Sequence, residues 1–214
     1  MNTATRDVGW WSTLGLGFIV LLIYSTLWSV SNRISGMEPE RYRMWFDFER
    51  HVPFVPAAVP VYVSFDLVAI IYPMTYANWR KALPLLTTLL GQLVIAIPFF
   101  LLLPMEPGFE GNHPTGIWGD LCRWAGIPDV GTWNHVPSLH VSGAFTIAAA
   151  LWLRWGRVAG SFGLVWATAV MVSCWLVHEH YLVDIAGGLL LAGFTIPLVL
   201  VKLQASDAPG QWAR

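Results

Sequence analysis

Charged residues are scarce in this chain, and their scarcity indicates its class. Asp, Glu, Lys and Arg make up 12% of the 214 residues, against about a quarter in an ordinary soluble domain. The formal net charge is -1, so no basic stripe is available to neutralise phosphates, which argues against a nucleic-acid partner. Hydrophobic residues account for 56% of the chain. We therefore expect an all-α polytopic membrane protein.

Cysteine is almost absent as well. The only two cysteines are Cys122 and Cys174, and their spacing matches no metal-binding motif, so neither a disulfide framework nor a zinc site is implied. A single disulfide between the two stays open at this point. No metal and no cofactor are expected, and no internal repeat or low-complexity tract is visible.

Long apolar runs predict a six-transmembrane-helix bundle that forms one integral membrane domain over residues 1–214. The runs cover residues 10–30, 54–76, 82–103, 138–153, 158–177 and 182–203. We expect the connection 31–53 to lie at the membrane interface and the connection 104–137 to form a long outer loop. The first run is too long for a signal peptide and no clear small-x-small cleavage site follows it, so we expect a retained helix.

Basic residues in short loops predict the orientation of the bundle. The tight turns "NWRK" and "RWGR" are basic, which favours a cytoplasmic location for both turns and for both termini. The polar stretches "PSLH" and "HEHYLVD" flank a hairpin formed by the fourth and fifth runs. Both stretches should therefore emerge together on the extracytoplasmic face of an inner or plasma membrane.

The stretch "HYLVD" carries a histidine and a carboxylate four residues apart. On a helix, His180 and Asp184 would lie on one face, one turn apart. The carboxylate could accept a proton from one imidazole nitrogen and leave the other nitrogen free as a nucleophile. A carboxylate that only caps the helix or satisfies the bundle interior is the plainer alternative. His178 and Glu179 we expect at the interface, and a zinc site at His178 and His180 is disfavoured because the two side chains alternate.

The stretch "VPSLHVSG" is typical of a helix start. Pro137 and Ser138 favour initiation and capping of a helix there, and a helix N-terminus attracts phosphate through its free N–H groups. His140 lies in the first turn. Taken alone, such a histidine could simply extend to the membrane interface. Together the two stretches supply what phosphoryl transfer through a phosphohistidine needs: a nucleophile with a carboxylate partner, a second histidine as acid and base, and an anion-binding helix end.

These two stretches also resemble a known family. "PSLHVSGA" and "SCWLVHEHYLVDIAGG" resemble the second and third signatures, PSGH and SRxxxxxHxxxD, of the type 2 phosphatidic acid phosphatase superfamily. The likeness extends over residues 50 to 190 and is closest to the branch with PSLH and HYxxD motifs, which includes inositol phosphorylceramide synthases. The resemblance implies that His180 is the nucleophile, Asp184 its partner and His140 the acid and base, with Ser138 helping to hold phosphate.

The chain departs from the family pattern in its cations. The first signature, KxxxxxxRP, is missing, and Cys174 stands where the third signature has arginine. Arg123 is the outer-loop cation nearest the motifs in sequence, so we expect it to bind phosphate, although a solvated loop charge is an equal alternative. A site with few cations suits a singly charged phosphodiester better than a monoester of charge about -1.5 to -2.

Asp66 is the one charge inside the second apolar run. It could line the cavity and bind an acceptor hydroxyl, or it could hydrogen-bond to a neighbouring helix. The expected substrate is a lipid-linked phosphate. Hydrolysis by water is slightly favoured over transfer of the head group to an alcohol, because water is always available and is excluded only by a closed pocket. A catalytically inactive scaffold of the same fold is the alternative of another class, and the sequence does not predict an oligomeric state.

Overall fold

The fold consists of helices and their connections. The structure, a computed structural model, describes residues 10–109, 114–125, 127 and 133–206. The helices are α1 (Trp10–Met37), α2 (Val59–Met74), α3 (Trp79–Leu102), α4 (Gly116–Trp124), α5 (Leu139–Leu176), α6 (Leu182–Thr195) and α7 (Lys202–Ser206). Short 3₁₀ turns cover Asp47–His51 and Pro56–Ala58, and the π-helical turn Ile196–Val201 joins α6 to α7. The all-α prediction is confirmed.

Five helical stretches are long and apolar enough to cross a membrane. They are Trp11–Met37, Pro56–Met74, Trp79–Leu102, Leu139–Leu176 and Leu182–Ala205. The predicted count of six is not confirmed, because the expected runs 138–153 and 158–177 fall within a single candidate stretch of 38 residues, Leu139–Leu176. The remaining predicted runs each coincide with one of these helices to within seven residues at either end.

Helix α5 is interrupted at Gly156, where φ is 80° and ψ is -168°. Only glycine adopts this backbone conformation readily. A Cβ atom built on Gly163 would lie 3.0 Å from Cα of Ala148, whereas fifteen residues of an unbroken helix would separate the two by about 22 Å. The chain therefore reverses direction at Gly156, and the two halves of α5 pack against each other.

Arg154, two residues before the reversal, binds to the turn between α2 and α3. Its guanidinium donates hydrogen bonds to the Thr75 hydroxyl (2.7 Å) and to the Thr75 carbonyl (2.9 Å), and it lies 4.0 Å above the centre of the Tyr76 ring. The two basic turns therefore occupy the same end of the bundle. His140 is 14 residues earlier on the same helix, about 21 Å away along its axis, so it belongs to the opposite end.

The connections between the predicted spans contain more regular structure than expected. The interfacial segment 31–53 begins inside α1, which continues to Met37, and includes the 3₁₀ turn Asp47–His51. Glu49 in that turn is fully buried. The loop 104–137 contains α4, and its first residues pair with the earlier connection through a bridge between Tyr42 and Met105.

A buried amide joins three helices within the bundle. Gln92 on α3 donates hydrogen bonds to the hydroxyls of Thr146 on α5 (2.7 Å) and Thr195 on α6 (2.8 Å). All three side chains are buried. Hydrogen bonds of this kind between helices help to hold membrane bundles together, since lipid offers no competing partner.

Replacing Gly156 with Ala should destabilise the protein by about 1–3 kcal/mol, because the backbone would be held in a conformation that an L side chain resists. No neighbouring atom lies within 4 Å of the added Cβ, so the effect would come from the backbone alone. Thermal unfolding in detergent measures it. Gly91→Ala is the control, since that position is also open but helical. Equal melting temperatures for both variants would contradict this account of the reversal.

Candidate active site

The two polar stretches meet where α6 packs on the start of α5. The backbone N–H of Ser138 donates a hydrogen bond of 3.0 Å to the carbonyl of Asp184. Two glycines of α6 permit this approach: a Cβ on Gly188 would lie 2.6 Å from the Ser138 carbonyl oxygen, and one on Gly187 would lie 3.2 Å from Cβ of Pro137. The "GG" that follows "HYLVD" is therefore needed for the two stretches to touch.

His180 and Asp184 form the pair that their spacing predicts. Nδ1 of His180 lies 3.3 Å from Oδ2 of Asp184. The same oxygen accepts the backbone N–H of Tyr181 at 2.9 Å, so the carboxylate also caps the first turn of α6, and it is completely buried. Because Nδ1 faces the carboxylate, Nε2 is the ring nitrogen of His180 that is left for a substrate.

His140 faces His180 across a short gap. Their ring centres are 5.8 Å apart, with 59° between the ring planes. His140 stacks on Tyr62 at 4.4 Å and also contacts Phe65, whose ring centre lies 5.0 Å away. Two aromatic residues of α2 therefore hold this imidazole in place at the first turn of α5.

The turn between α5 and α6 decides which way its side chains point. The backbone N–H groups of Glu179 and His180 both donate to the carbonyl of Cys174 at 3.1 Å. His178 adopts a left-handed backbone (φ 61°), and its Nε2 lies 2.9 Å from the Val52 carbonyl oxygen. His178 therefore faces the connection before α2, while His180 faces His140. The two do not share a metal-binding position.

A cavity of about 530 Å³ opens beside the two imidazoles. His140, His180 and Glu179 contribute to its wall at one end, and residues from Gly17 to Ser29 of α1 line its length, a distance of about 18 Å along the helix. The wall is mostly apolar. No lysine or arginine is among the cavity-lining residues that the structure describes.

Asp66 also lines this cavity and is half exposed to it. Its Oδ1 lies 3.8 Å from Nε2 of His140. Among the two alternatives left open by the sequence, this geometry agrees with a cavity carboxylate beside the proposed acid and base. The site thus contains two pairs of histidine and aspartate, one on each side of the gap.

The structure gives two predicted phosphate ligands other roles. The Ser138 hydroxyl is fully buried and accepts the backbone N–H of Val141 at 3.3 Å, so it caps α5 and is not part of the cavity wall. Arg123 lies on the exposed side of α4 and pairs with Asp120 three residues earlier. The Ser138 hydroxyl thus caps α5 and Arg123 forms a surface ion pair, and phosphate binding by either residue stays a prediction.

His135 is a site residue that the sequence did not single out. Its Nδ1 lies 3.6 Å from Oδ2 of Asp184, and its ring centre is 6.1 Å from that of His180. The adjacent Asn134 fixes this loop to α1 by donating to the Trp28 carbonyl (3.1 Å) and the Ser31 hydroxyl (2.8 Å). Only its place directly before the stretch "VPSLHVSG" hinted at a role for His135.

His135, His180 and Asp184 are close enough for one small metal ion to contact all three, with their donor atoms within 4.8 Å of one another. The same spacing suits two imidazoles beside one carboxylate, with His180 hydrogen-bonded to Asp184 at 3.3 Å and His135 slightly farther from it at 3.6 Å. Both cysteines are buried free thiols, so the two do not form the disulfide that the sequence left open.

Glu179 was expected at the interface, yet it is buried with 8% of its surface exposed. It lines the cavity beside His180 and hydrogen-bonds to the Tyr62 side chain. Burial raises the pKa of Glu179 to about 8, and the hydrogen bond with Tyr62 lowers it only in part. Burial also lowers the pKa of His180 well below its usual range, and the neighbouring His140 adds to that effect. At neutral pH both groups are therefore uncharged.

The family model described as the PAP2 superfamily matches residues 96–207, just over half of the chain. The chain belongs to the PAP2 superfamily. It is accordingly an integral membrane protein, and its family supports a phosphatase or phosphotransferase type of activity on lipid phosphates. Neither a curated protein nor a solved structure matches the chain. The match contains the stretches that carry His140 and His180.

Replacing Gly188 with Ala should lower the free energy of unfolding by about 1–3 kcal/mol and reduce activity, because its methyl group would push α6 away from the Ser138 carbonyl. Gly193→Ala on the same helix is the matched control, since no atom lies within 4 Å of that position. Thermal unfolding in detergent and lipid-phosphate turnover measure the two effects. A Gly188→Ala variant as stable and active as Gly193→Ala would contradict the proposed role of this contact.

Proposed function

We propose that this protein cleaves a phosphorus–oxygen bond of a lipid-linked phosphate through a covalent intermediate on His180. The observation that carries the proposal is the 5.8 Å gap between His140 and His180 at the end of an apolar cavity. A phosphoryl group in that gap would contact both rings, while the lipid chain would lie in the cavity. Membership of the PAP2 superfamily supports the reaction type.

In the first half of the reaction, the lone pair on Nε2 of His180 attacks phosphorus. The bond from phosphorus to the leaving alkoxide breaks, and the alkoxide oxygen takes a proton from His140. The ring of His180 becomes positively charged as the nitrogen–phosphorus bond forms. Asp184, 3.3 Å from Nδ1 of that ring, stabilises this charge.

In the second half, neutral His140 removes the proton from an acceptor hydroxyl. The acceptor oxygen attacks phosphorus, the nitrogen–phosphorus bond breaks, and its electron pair returns to Nε2 of His180. Asp66, 3.8 Å from Nε2 of His140, stabilises the protonated ring that results. Atoms and protons therefore balance over the cycle without a metal or cofactor.

The acceptor decides between a phosphatase and a phosphotransferase. Water is always present, so hydrolysis remains slightly favoured unless the pocket closes against it. Transfer to an alcohol, as in the inositol phosphorylceramide synthase branch that the motifs resemble, is the second candidate. The apolar cavity supports that candidate, since a lipid alcohol could approach His140 from the membrane side.

The reversal at Gly156 supports six membrane crossings in place of five, since each half of α5 is long enough to cross most of the hydrocarbon layer. With the basic turns at the cytoplasmic end, the site lies at the extracytoplasmic face of a plasma or inner membrane. A cysteine introduced beside Gly156 would then face the cytoplasm. A maleimide that cannot cross the membrane should label it only after the cells have been permeabilised. Labelling in intact cells would contradict this orientation.

Replacing His180 with Ala should remove the phosphoenzyme and slow turnover by at least about a thousandfold, because it removes the imidazole nitrogen that the proposal assigns to the attack on phosphorus. The measurement is acid-labile radioactivity on the protein after incubation with lipids labelled on phosphorus. His51→Ala is the matched control, since that histidine is exposed in the 3₁₀ turn Asp47–His51.

The same incubation separates the candidate functions. Label released as free phosphate indicates a phosphatase, and label moved to another lipid indicates a phosphotransferase. A panel of a phosphate monoester, a diphosphate and a phosphodiester lipid covers the plausible substrates. If the wild-type protein turns over none of them and forms no phosphoenzyme, the alternative of a catalytically inactive scaffold gains support. Full activity of His180→Ala would contradict the mechanism.

A further inference from the structure

The cavity wall poses a problem of charge for an anionic substrate. A lipid phosphate carries at least one negative charge, and in a low-dielectric site that charge needs hydrogen-bond donors or cations. None of the described cavity-lining residues is lysine or arginine, while two carboxyl groups, Asp66 and Glu179, are present. If both were ionised they would repel the substrate. At least one of the two carboxyl groups must therefore be protonated, or be compensated by a neighbouring positive charge, when the substrate binds.

Glu179 is the carboxyl group whose surroundings favour the protonated, neutral form. It precedes the proposed nucleophile His180 in sequence, lines the same end of the cavity and is 8% exposed. Asp66 is half exposed to the cavity and lies beside an imidazole that can carry the compensating charge. The side chain of Glu179 hydrogen-bonds to a neutral phenol, that of Tyr62.

We propose that Glu179 acts as a neutral carboxylic acid that donates a hydrogen bond to a phosphoryl oxygen of the bound lipid phosphate. The role rests on the proposed function, because it requires the phosphoryl group to occupy the gap beside His180. A protonated carboxyl group in an apolar site is a strong donor that brings no repelling charge. It would stabilise charge on phosphorus-bound oxygen where a family member with arginine would use a cation.

The hydrogen bond to Tyr62 leaves the donor free for substrate. A neutral carboxyl group can accept the phenol O–H at its carbonyl oxygen and direct its own O–H elsewhere. Tyr62 also stacks on His140 at 4.4 Å, so one side chain orients both the acid and base and the proposed donor. The raised pKa of Glu179, about 8, agrees with a neutral group at physiological pH.

Other titratable groups surround Glu179 and must be separated from it in any pH experiment. Those that face it or share its cavity wall are Tyr24 on α1, Tyr62 and Asp66 on α2, Cys122 on α4, His140 and Cys174 on α5, and His180 next to it in the chain. All of them are unchanged in a Glu179→Gln variant. Comparing that variant with the wild type at each pH therefore isolates the titration of Glu179.

The expected result is a pH-dependent difference between the two proteins. Glutamine keeps an N–H donor but cannot ionise. Above a pKa of about 8 the wild type loses the donor and gains a repelling charge, so its kcat/KM should fall by about tenfold relative to Glu179→Gln between about pH 7 and pH 9. The fall should lie mainly in KM. Glu179→Ala, with no donor, should lose about 100-fold at neutral pH.

One further measurement and a control variant keep the proposal falsifiable. The infrared carbonyl band of a protonated carboxyl group should be present in the wild type at neutral pH, absent from Glu179→Gln, and lost near pH 8. Glu40→Gln, at an exposed position, is the matched control and should change neither the band nor the pH profile. The substrate is whichever of the three lipid phosphate probes is turned over fastest.

A constant ratio of kcat/KM between wild type and Glu179→Gln across this range, or no protonated band in the wild type, would overturn the proposal. So would a folded Glu179→Gln variant with no activity at any pH, since that result would require the ionised carboxylate. Parallel assay of His180→Ala separates the two claims. If His180→Ala is inactive while the ratio stays constant, only the role of Glu179 fails; if His180→Ala is active, the proposed function fails.

Discussion

The backbone hydrogen bond from Ser138 to Asp184 is the contact on which the rest of the site depends. It joins the first turn of α5 to the first turn of α6, and it forms only because Gly187 and Gly188 let the two backbones approach. Through it, a carboxylate that caps one helix is held beside the start of another. The start of α5, which carries His140, is thereby held beside the start of α6, which follows His180, and the two imidazoles face each other.

Burial accounts for much of the electrostatics of this site. Asp184 and His180 are almost completely enclosed, and in that environment a charge is stable only beside a partner or a donor. The free imidazole is therefore neutral and nucleophilic, and the carboxylate beside it becomes most valuable when the ring is positively charged. In the proposed mechanism, Asp184 would therefore stabilise the transition state that leads to the charged ring more than it stabilises the resting state, which is the requirement for catalysis.

The membrane environment explains why the bundle and its cavity contain so few charged side chains. A bundle in lipid must satisfy its polar groups internally, as Gln92 does with Thr146 and Thr195. The same restriction applies to the cavity, where, in the proposed site, a neutral carboxyl donor and imidazoles would take the place of the cationic side chains that the family signatures contain. His135, which shares Asp184 with His180, adds a further imidazole to this group.

The sequence by itself determined the helical class, the helix positions and the pairing of His180 with Asp184, because apolar run length and i,i+4 spacing are local properties of the chain. Only the tertiary structure decided the surroundings of the other polar side chains considered for the site. It assigned the Ser138 hydroxyl to a helix cap, kept Arg123 on the surface and buried Glu179 beside Tyr62. Which neighbour a polar atom meets depends on how distant segments pack, and spacing along a single segment carries no information about that.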